Sequence, residues 1–146
     1  MNTKEKIRVL ILFLTLSFFL NINAQTSLDS ISFYYQKADY KKSISFAEEL
    51  KKQYLNGKDT LNFNYAYLLS SLGTLNKSIG NNKKSEKYYI QSIAILEKYN
   101  EKDELLFATS WNNLALFYKD QGLFEKAKTL FVKTRHVREK YLNKED

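Results

Sequence analysis

Apolar residues return along most of this chain at steps of three and four, the spacing that stacks side chains on one face of a helix. From Trp111 onward the order is Trp111, Leu114, Ala115 and Tyr118, then Gly122, then Phe124, Ala127, Leu130 and Phe131. This predicts two amphipathic helices joined by a glycine turn, with Ala127 small enough for the two backbones to approach closely. Shifting the chain against itself places Gly122 over Gly80 and Gly80 over Ala38, because 122 − 80 and 80 − 38 are both 42. In the second copy Leu69, Leu72, Gly73 and Asn76 fall under Trp111, Leu114, Ala115 and Tyr118, while Ser85 and Tyr89 fall under Ala127 and Phe131. The first copy keeps Ile31 and Tyr34 before the turn and Tyr40, Ser43 and Ala47 after it, but has Ser27 and Ser30 in columns that are apolar elsewhere. The predicted helices are 27–37, 40–55, 60–79, 83–99, 103–121 and 124–142. Between them, Asn56-Gly57 reads as a turn with a helix cap at Asp59 and Thr60, Gly80-Asn81-Asn82 as the second turn, and Asn100 to Asp103 as the break between units. No stretch alternates polar and apolar for long enough to suggest a strand, and no linker divides the chain.

The unit resembles the tetratricopeptide (TPR) hairpin, whose pattern Trp-x2-Leu-Gly-x2-Tyr followed by Ala-x3-Phe is met by Trp111, Leu114, Tyr118, Ala127 and Phe131. Ala115 replaces the small Gly, the closing Pro is missing from a chain with no proline, and Leu72-Gly73 keeps the Leu-Gly pair intact. TPR units usually run to about 34 residues, so a period of 42 implies about one extra turn on each helix. That length resembles the longer variety found in kinesin light chains and in the repeats of bacterial sensor and caspase-like (CHAT) proteins. The resemblance covers residues 26–142 and implies an all-α, right-handed α-solenoid of three helix-turn-helix units, at about 25–59, 60–101 and 102–143. One hairpin leaves an apolar face open, so stacking completes the core and about three units are needed. In the last copy Arg135 and Arg138 stand where the middle copy has Ile93 and Leu96. The apolar stripe there narrows to Phe124, Ala127, Leu130, Phe131, Val137 and Tyr141, as on a solvated terminal helix, whereas the ending REKYLNKED resembles a connector into a further unit.

In the family the front helix of each unit lines a concave groove. Carried over by column, the residues facing a ligand are Tyr67, Ser70, Ser71, Thr74 and Lys77 from the middle copy and Thr109, Asn112, Asn113, Leu116 and Lys119 from the last. The first copy adds Asp29, Ser32 and Tyr35. Amides such as Asn112 and Asn113 pair with the backbone of an extended peptide, and Lys77 and Lys119 suit a carboxylate. The alternative is that these are polar residues on a wet surface.

The amino terminus reads as an address. Lys4, Lys6 and Arg8 precede the run Val9 to Leu20, apolar apart from Thr15 and Ser17, and Ala24 offers a small residue for cleavage. That order is a secretory signal peptide, and the run is short of the roughly 20 residues a membrane span needs. Residues 1–24 are therefore set apart from a TPR domain at 25–146, with a periplasmic or extracellular product expected; an uncleaved anchor is the alternative. No cysteine stands beside Ala24 to carry a lipid.

Charge and composition narrow the chemistry. The chain of 146 residues is 44% apolar and 15% aromatic, enough for a packed core, and carries +7, or +5 (20 basic against 15 acidic side chains) without its first eight positions. Lysines on solvated helix faces account for that total, although the rim Lys126, Lys128, Lys133, Arg135, Arg138 and Lys140 suits an acidic patch or a membrane surface. Zero cysteines exclude disulfides, thiolate zinc sites and cysteine nucleophiles. The one histidine, His136, sits among Lys133, Arg135, Arg138 and Lys140 without a ligand partner. Glu48-Glu49 and Asp103-Glu104 point apart on a helix and make poor acid/base pairs. With four glycines there is no phosphate loop. Eleven tyrosines, Tyr34-Tyr35, Tyr65, Tyr67, Tyr88-Tyr89 and Tyr99 among them, fall mostly on core columns rather than on a nucleic-acid stacking platform. The reading is a scaffold for a protein or peptide, without catalysis, cofactor or metal, with self-association open. Its rival is the sensory or adaptor part of a larger signalling kinase or CHAT peptidase.

Overall fold

The computed structural model describes residues 5, 6, 8, 28–98 and 104–142. Apart from residues 5, 6 and 8, the leader expected at 1–24 lies outside them, and so do Tyr99 and the break at 100–103. Six helices follow one another among the described residues, with no strand: α1 at 28–36, α2 Tyr40–Asn56, α3 Phe63–Ser78, α4 Asn82–Lys98, α5 Glu104–Asp120 and α6 Phe124–Leu142. α3 pairs with α4 and α5 with α6 as hairpins, α2 meets α3 and α4 meets α5 across the seams between hairpins, and the front helices α3 and α5 also touch.

The three turns coincide. Ala38, Gly80 and Gly122 all take the left-handed backbone, at φ 56, 76 and 74. Each closes its helix with the same two hydrogen bonds, moved along by one period: Ala38, Gly80 and Gly122 donate to the carbonyls of Tyr35, Lys77 and Lys119, and the next residues, Asp39, Asn81 and Leu123, to those of Tyr34, Asn76 and Tyr118. This satisfies carbonyls that a helix end otherwise leaves without partners. The turn after α2 differs from its expected chemistry. Gly57 stays in the right-handed region and Lys58 takes the positive φ of 56. α3 starts at Phe63 rather than near residue 60, because Asn62 is its cap: the Asn62 side-chain oxygen accepts from the Tyr65 amide at 2.8 Å, while its amide nitrogen donates to Asp59.

Within each hairpin a small residue brings the helices together, and its hydroxyl has a set task. Ser43 donates to the Ile31 carbonyl and Ser85, one period on, to that of Gly73, both at 2.8 Å. Nearer the open end, Ser92 donates to the Ala66 carbonyl at 2.7 Å and Thr134, again one period on, to that of Ala108 at 3.3 Å. All four hydroxyls are buried, so each needs its partner; such a bond contributes about 1 kcal/mol, and an unpaired buried group costs more. Gly73 is required by contact. A Cβ there would lie 2.7 Å from the Tyr89 ring.

Two apolar clusters result. Ile31, Ala47, Leu50, Tyr65, Leu68, Leu69, Leu72, Leu75 and Tyr88 unite α1 to α4, and Tyr89, Leu114, Phe117, Tyr118 and Ala127 unite α4 to α6. The stripe expected on α6 is partly buried as read, with Ala127 and Val137 inside, but Phe124 is 66% exposed.

Candidate functional site

A concavity of about 420 Å³ runs along the side on which α1, α3 and α5 lie next to one another. α1 contributes Ile31, Ser32, Tyr35 and Gln36; α3 contributes Phe63, Tyr67, Ser70, Ser71, Thr74 and Leu75; α5 contributes Thr109, Ser110 and Asn113; Leu96 of α4 closes the floor. The volume lies in the range of small-ligand and side-chain pockets. Among the described residues its wall holds none that is charged. Tyr35 and Tyr67 are 43% and 53% exposed, and the Phe63 and Tyr67 rings lie 6.2 Å apart at one end.

Three of the polar groups have their protons engaged and can accept. Ser71 and Thr109 give their hydroxyl protons to the carbonyls of Tyr67 and Leu105, four residues back, both at 3.1 Å, which leaves each oxygen free to accept. Asn113 donates its amide to Ser70 Oγ at 3.2 Å across the α3–α5 contact, leaving its carbonyl oxygen as an acceptor. The Thr74 hydroxyl lies 3.0 Å from that of Tyr89, whose acidity burial pushes down by raising its pKa. Acceptors beside aromatic rings match the N–H groups and apolar side chains of an extended peptide.

Of the residues carried over by column, Tyr67, Ser70, Ser71, Thr74, Thr109 and Asn113 line this cavity, with Ser32 and Tyr35 from the first hairpin. Asp29, Lys77, Asn112, Leu116 and Lys119 do not. The reason is positional. Asn112 occupies the column of Ser70, the residue that Asn113 of the next hairpin meets, so it belongs to the side on which a further unit would stand. Lys77 is engaged in an ion pair with Asp120, which holds that carboxyl below its ordinary value. Lys119, one period on, lines a second hollow at the far end of the molecule.

Elsewhere the titratable groups tie hairpins together. The Tyr88 hydroxyl donates to Glu48 at 2.6 Å, and Lys51 Nζ reaches the other Glu48 oxygen at 2.7 Å and the Tyr88 hydroxyl at 3.0 Å. Burial pushes the Glu48 carboxyl up, but these hydrogen bonds outweigh it and hold the pKa below 4.5. In the second seam Tyr118 donates to Glu86 at 2.9 Å; burial first, then this carboxylate, raises its hydroxyl pKa to about 12. Among the described residues no group of three or more His, Cys, Asp or Glu could hold a metal, and no helix is long and apolar enough to cross a membrane. His136 is exposed on α6.

Three hairpins with superposable turns and a groove along their front helices agree with the sequence comparison, in which residues 107–146 match the family described as Tetratricopeptide repeat. That match covers the last hairpin, and the two hairpins before it repeat its turn geometry and hydrogen bonds. In structure the chain is similar to BtubC (BKLC) from P. vanneervenii, with a TM-score of 0.74 at 18% identity, over 81% of this chain and 47% of that one. It thus spans about half the length of that relative, and at such identity the likeness concerns the fold. No curated protein matches it in sequence. TPR repeats generally mediate contact between proteins and are typically non-catalytic. The cavity-lining residues that column reasoning did not name are Ile31, Gln36, Phe63, Leu75, Leu96 and Ser110. Phe63 had a legible signal, since it stands four residues before Tyr67 on one helical face.

Proposed function

We propose that the protein is a non-catalytic scaffold that holds an extended, uncharged segment of a partner protein along α1, α3 and α5, in the cell envelope or outside the cell. The observation that carries this reading is the cavity shared by three successive front helices, uncharged among the described residues, rimmed by Tyr35, Tyr67 and Phe63 and supplied with acceptor oxygens by Ser71, Thr109 and Asn113. A neutral segment with one bulky apolar side chain fits it; an acidic terminus, which would need the lysines of the last turn of each front helix, does not. The charged amino terminus followed by the run Val9 to Leu20 supports export.

Photo-crosslinking from position 71 in the native host identifies the segment held. The expected capture is a neutral stretch carrying an aromatic or aliphatic anchor, lost on Tyr67→Ala combined with Asn113→Ala. Capture unchanged by that pair removes the groove from the account. Amino-terminal sequencing of protein from the envelope fraction tests export, with a start near Gln25 expected.

A further inference from the structure

A second hollow, of about 320 Å³, lies on the outer side of the last hairpin. Within the molecule there is a template for what belongs in it. Beside the Ser70–Asn113 bond, five described residues of the middle hairpin meet the last one: Lys77 pairs with Asp120, Asn82 donates to Gln121 at 2.8 Å, Glu86 accepts from Tyr118, the Tyr89 ring lies 5.9 Å from that of Phe117, and Ile93 packs on the cluster around Leu114. One period on, those five columns are Lys119, Phe124, Lys128, Phe131 and Arg135, and all five line the hollow. It is therefore the same kind of face that receives α5 in the middle hairpin. The charge, however, has changed. Glu86 has become Lys128 and Ile93 has become Arg135, while Lys119 keeps the cation of Lys77. Arg135 lies 3.6 Å from Glu139 on its own helix, an exposed contact that a better-placed carboxylate can replace.

We infer that this face docks an acidic amphipathic helix of a partner protein. The template fixes its pattern. An apolar residue takes the place of Phe117 against Phe131. Acids stand three residues before it, against Arg135, and one and three residues after it, against Lys128 and Lys119. A second copy of this chain lacks that pattern: the same columns in its first hairpin are Ser30, Phe33, Tyr34 and Gln36, with Lys37 lying 4.4 Å over the Phe33 ring. Two lysine-bearing faces brought together repel, so stacking of copies is disfavoured. This surface is separate from the groove, and its test does not depend on it.

The probe is a peptide with the sequence of Glu104–Asp120 bearing Leu114→Glu and Tyr118→Glu, labelled for anisotropy and titrated with the full chain. Its control carries Lys at positions 114, 118 and 120. The acidic peptide is expected to bind, more weakly as salt rises, and the control is not. Lys128→Glu should weaken acidic-peptide binding by about tenfold or more, the effect of opposing like charges at a desolvated contact, and let the control bind, whereas Lys41→Glu, the same change on α2, leaves both unaltered. The inference is overturned by any of four results: no binding at millimolar chain, equal binding of the two peptides, indifference to Lys128→Glu, or capture by anionic vesicles in place of the peptide. Sedimentation showing self-association through this face would assign it to a second copy and overturn it equally.

Discussion

The two seams of the array are built differently. Between the first and second hairpins nine buried residues form one continuous cluster, and a single Glu48–Lys51–Tyr88 ring of hydrogen bonds sits at its edge. Between the second and third the cluster counts five among the described residues, and four polar contacts span the joint: Lys77–Asp120, Asn82–Gln121, Tyr118–Glu86 and Asn113–Ser70. Apolar burial is strong and undirected, whereas hydrogen bonds and ion pairs contribute less but define register. The first seam therefore holds more of the stability and the second more of the alignment.

The largest effect should come from emptying the first seam. Leu72→Ala deletes a fully buried side chain at its centre and should cost about 2–5 kcal/mol in chemical denaturation. A smaller loss would show that the seam relaxes freely. Overfilling between α3 and α4 comes next. Gly73→Ala drives a methyl group into the Tyr89 ring and should cost about 1–3 kcal/mol, with loss of the Tyr89–Phe117 contact measurable in aromatic NMR shifts.

Proton uptake separates the seams. Glu48 titrates below 4.5 in the folded chain, so its contribution is complete above that pH and disappears as pH falls through the lower, folded value. Thermal melts in acid should therefore show a loss that Glu48→Gln abolishes. Tyr118 titrates near 12 against 10.0 when unfolded; its contribution is complete below pH 10 and is lost as pH rises toward 12. Ultraviolet titration should show a phenolate forming near pH 12 that Tyr118→Phe removes, while the late phenolates of Tyr54, Tyr65, Tyr88 and Tyr89, also raised by burial, remain. The smallest effect belongs to Asp120→Asn. This exposed pair with Lys77 should shift stability by about 1 kcal/mol or less, and a larger change would mean that the second seam depends on charge.

Much of this fold was legible because a period repeats only where one packing solution is reused. The offset linking Ala38, Gly80 and Gly122 located the turns, and the small residues Ser85 and Ala127 located the close approaches. What those serines do was hidden. Ser43, Ser85, Ser92 and Thr134 read as small or polar, yet each donates to a carbonyl of the facing helix, a relation that exists only once two backbones are in place. The start of α3 was missed for a related reason: Asp59, Thr60 and Asn62 are all good caps, and Asn62 prevails by also holding Asp59. The groove was half legible. Column arithmetic identifies front-helix residues, but whether one such as Asn112 faces a cavity depends on a neighbour to close it.

Ala38 carries in the first hairpin the left-handed backbone that Gly80 and Gly122 carry in the others. A methyl group in that conformation costs about 1–2 kcal/mol, so the first turn is sprung where its counterparts are slack. Opening of the array is therefore expected first at α1, and the proposed segment bridging α1 to α3 would act as the latch.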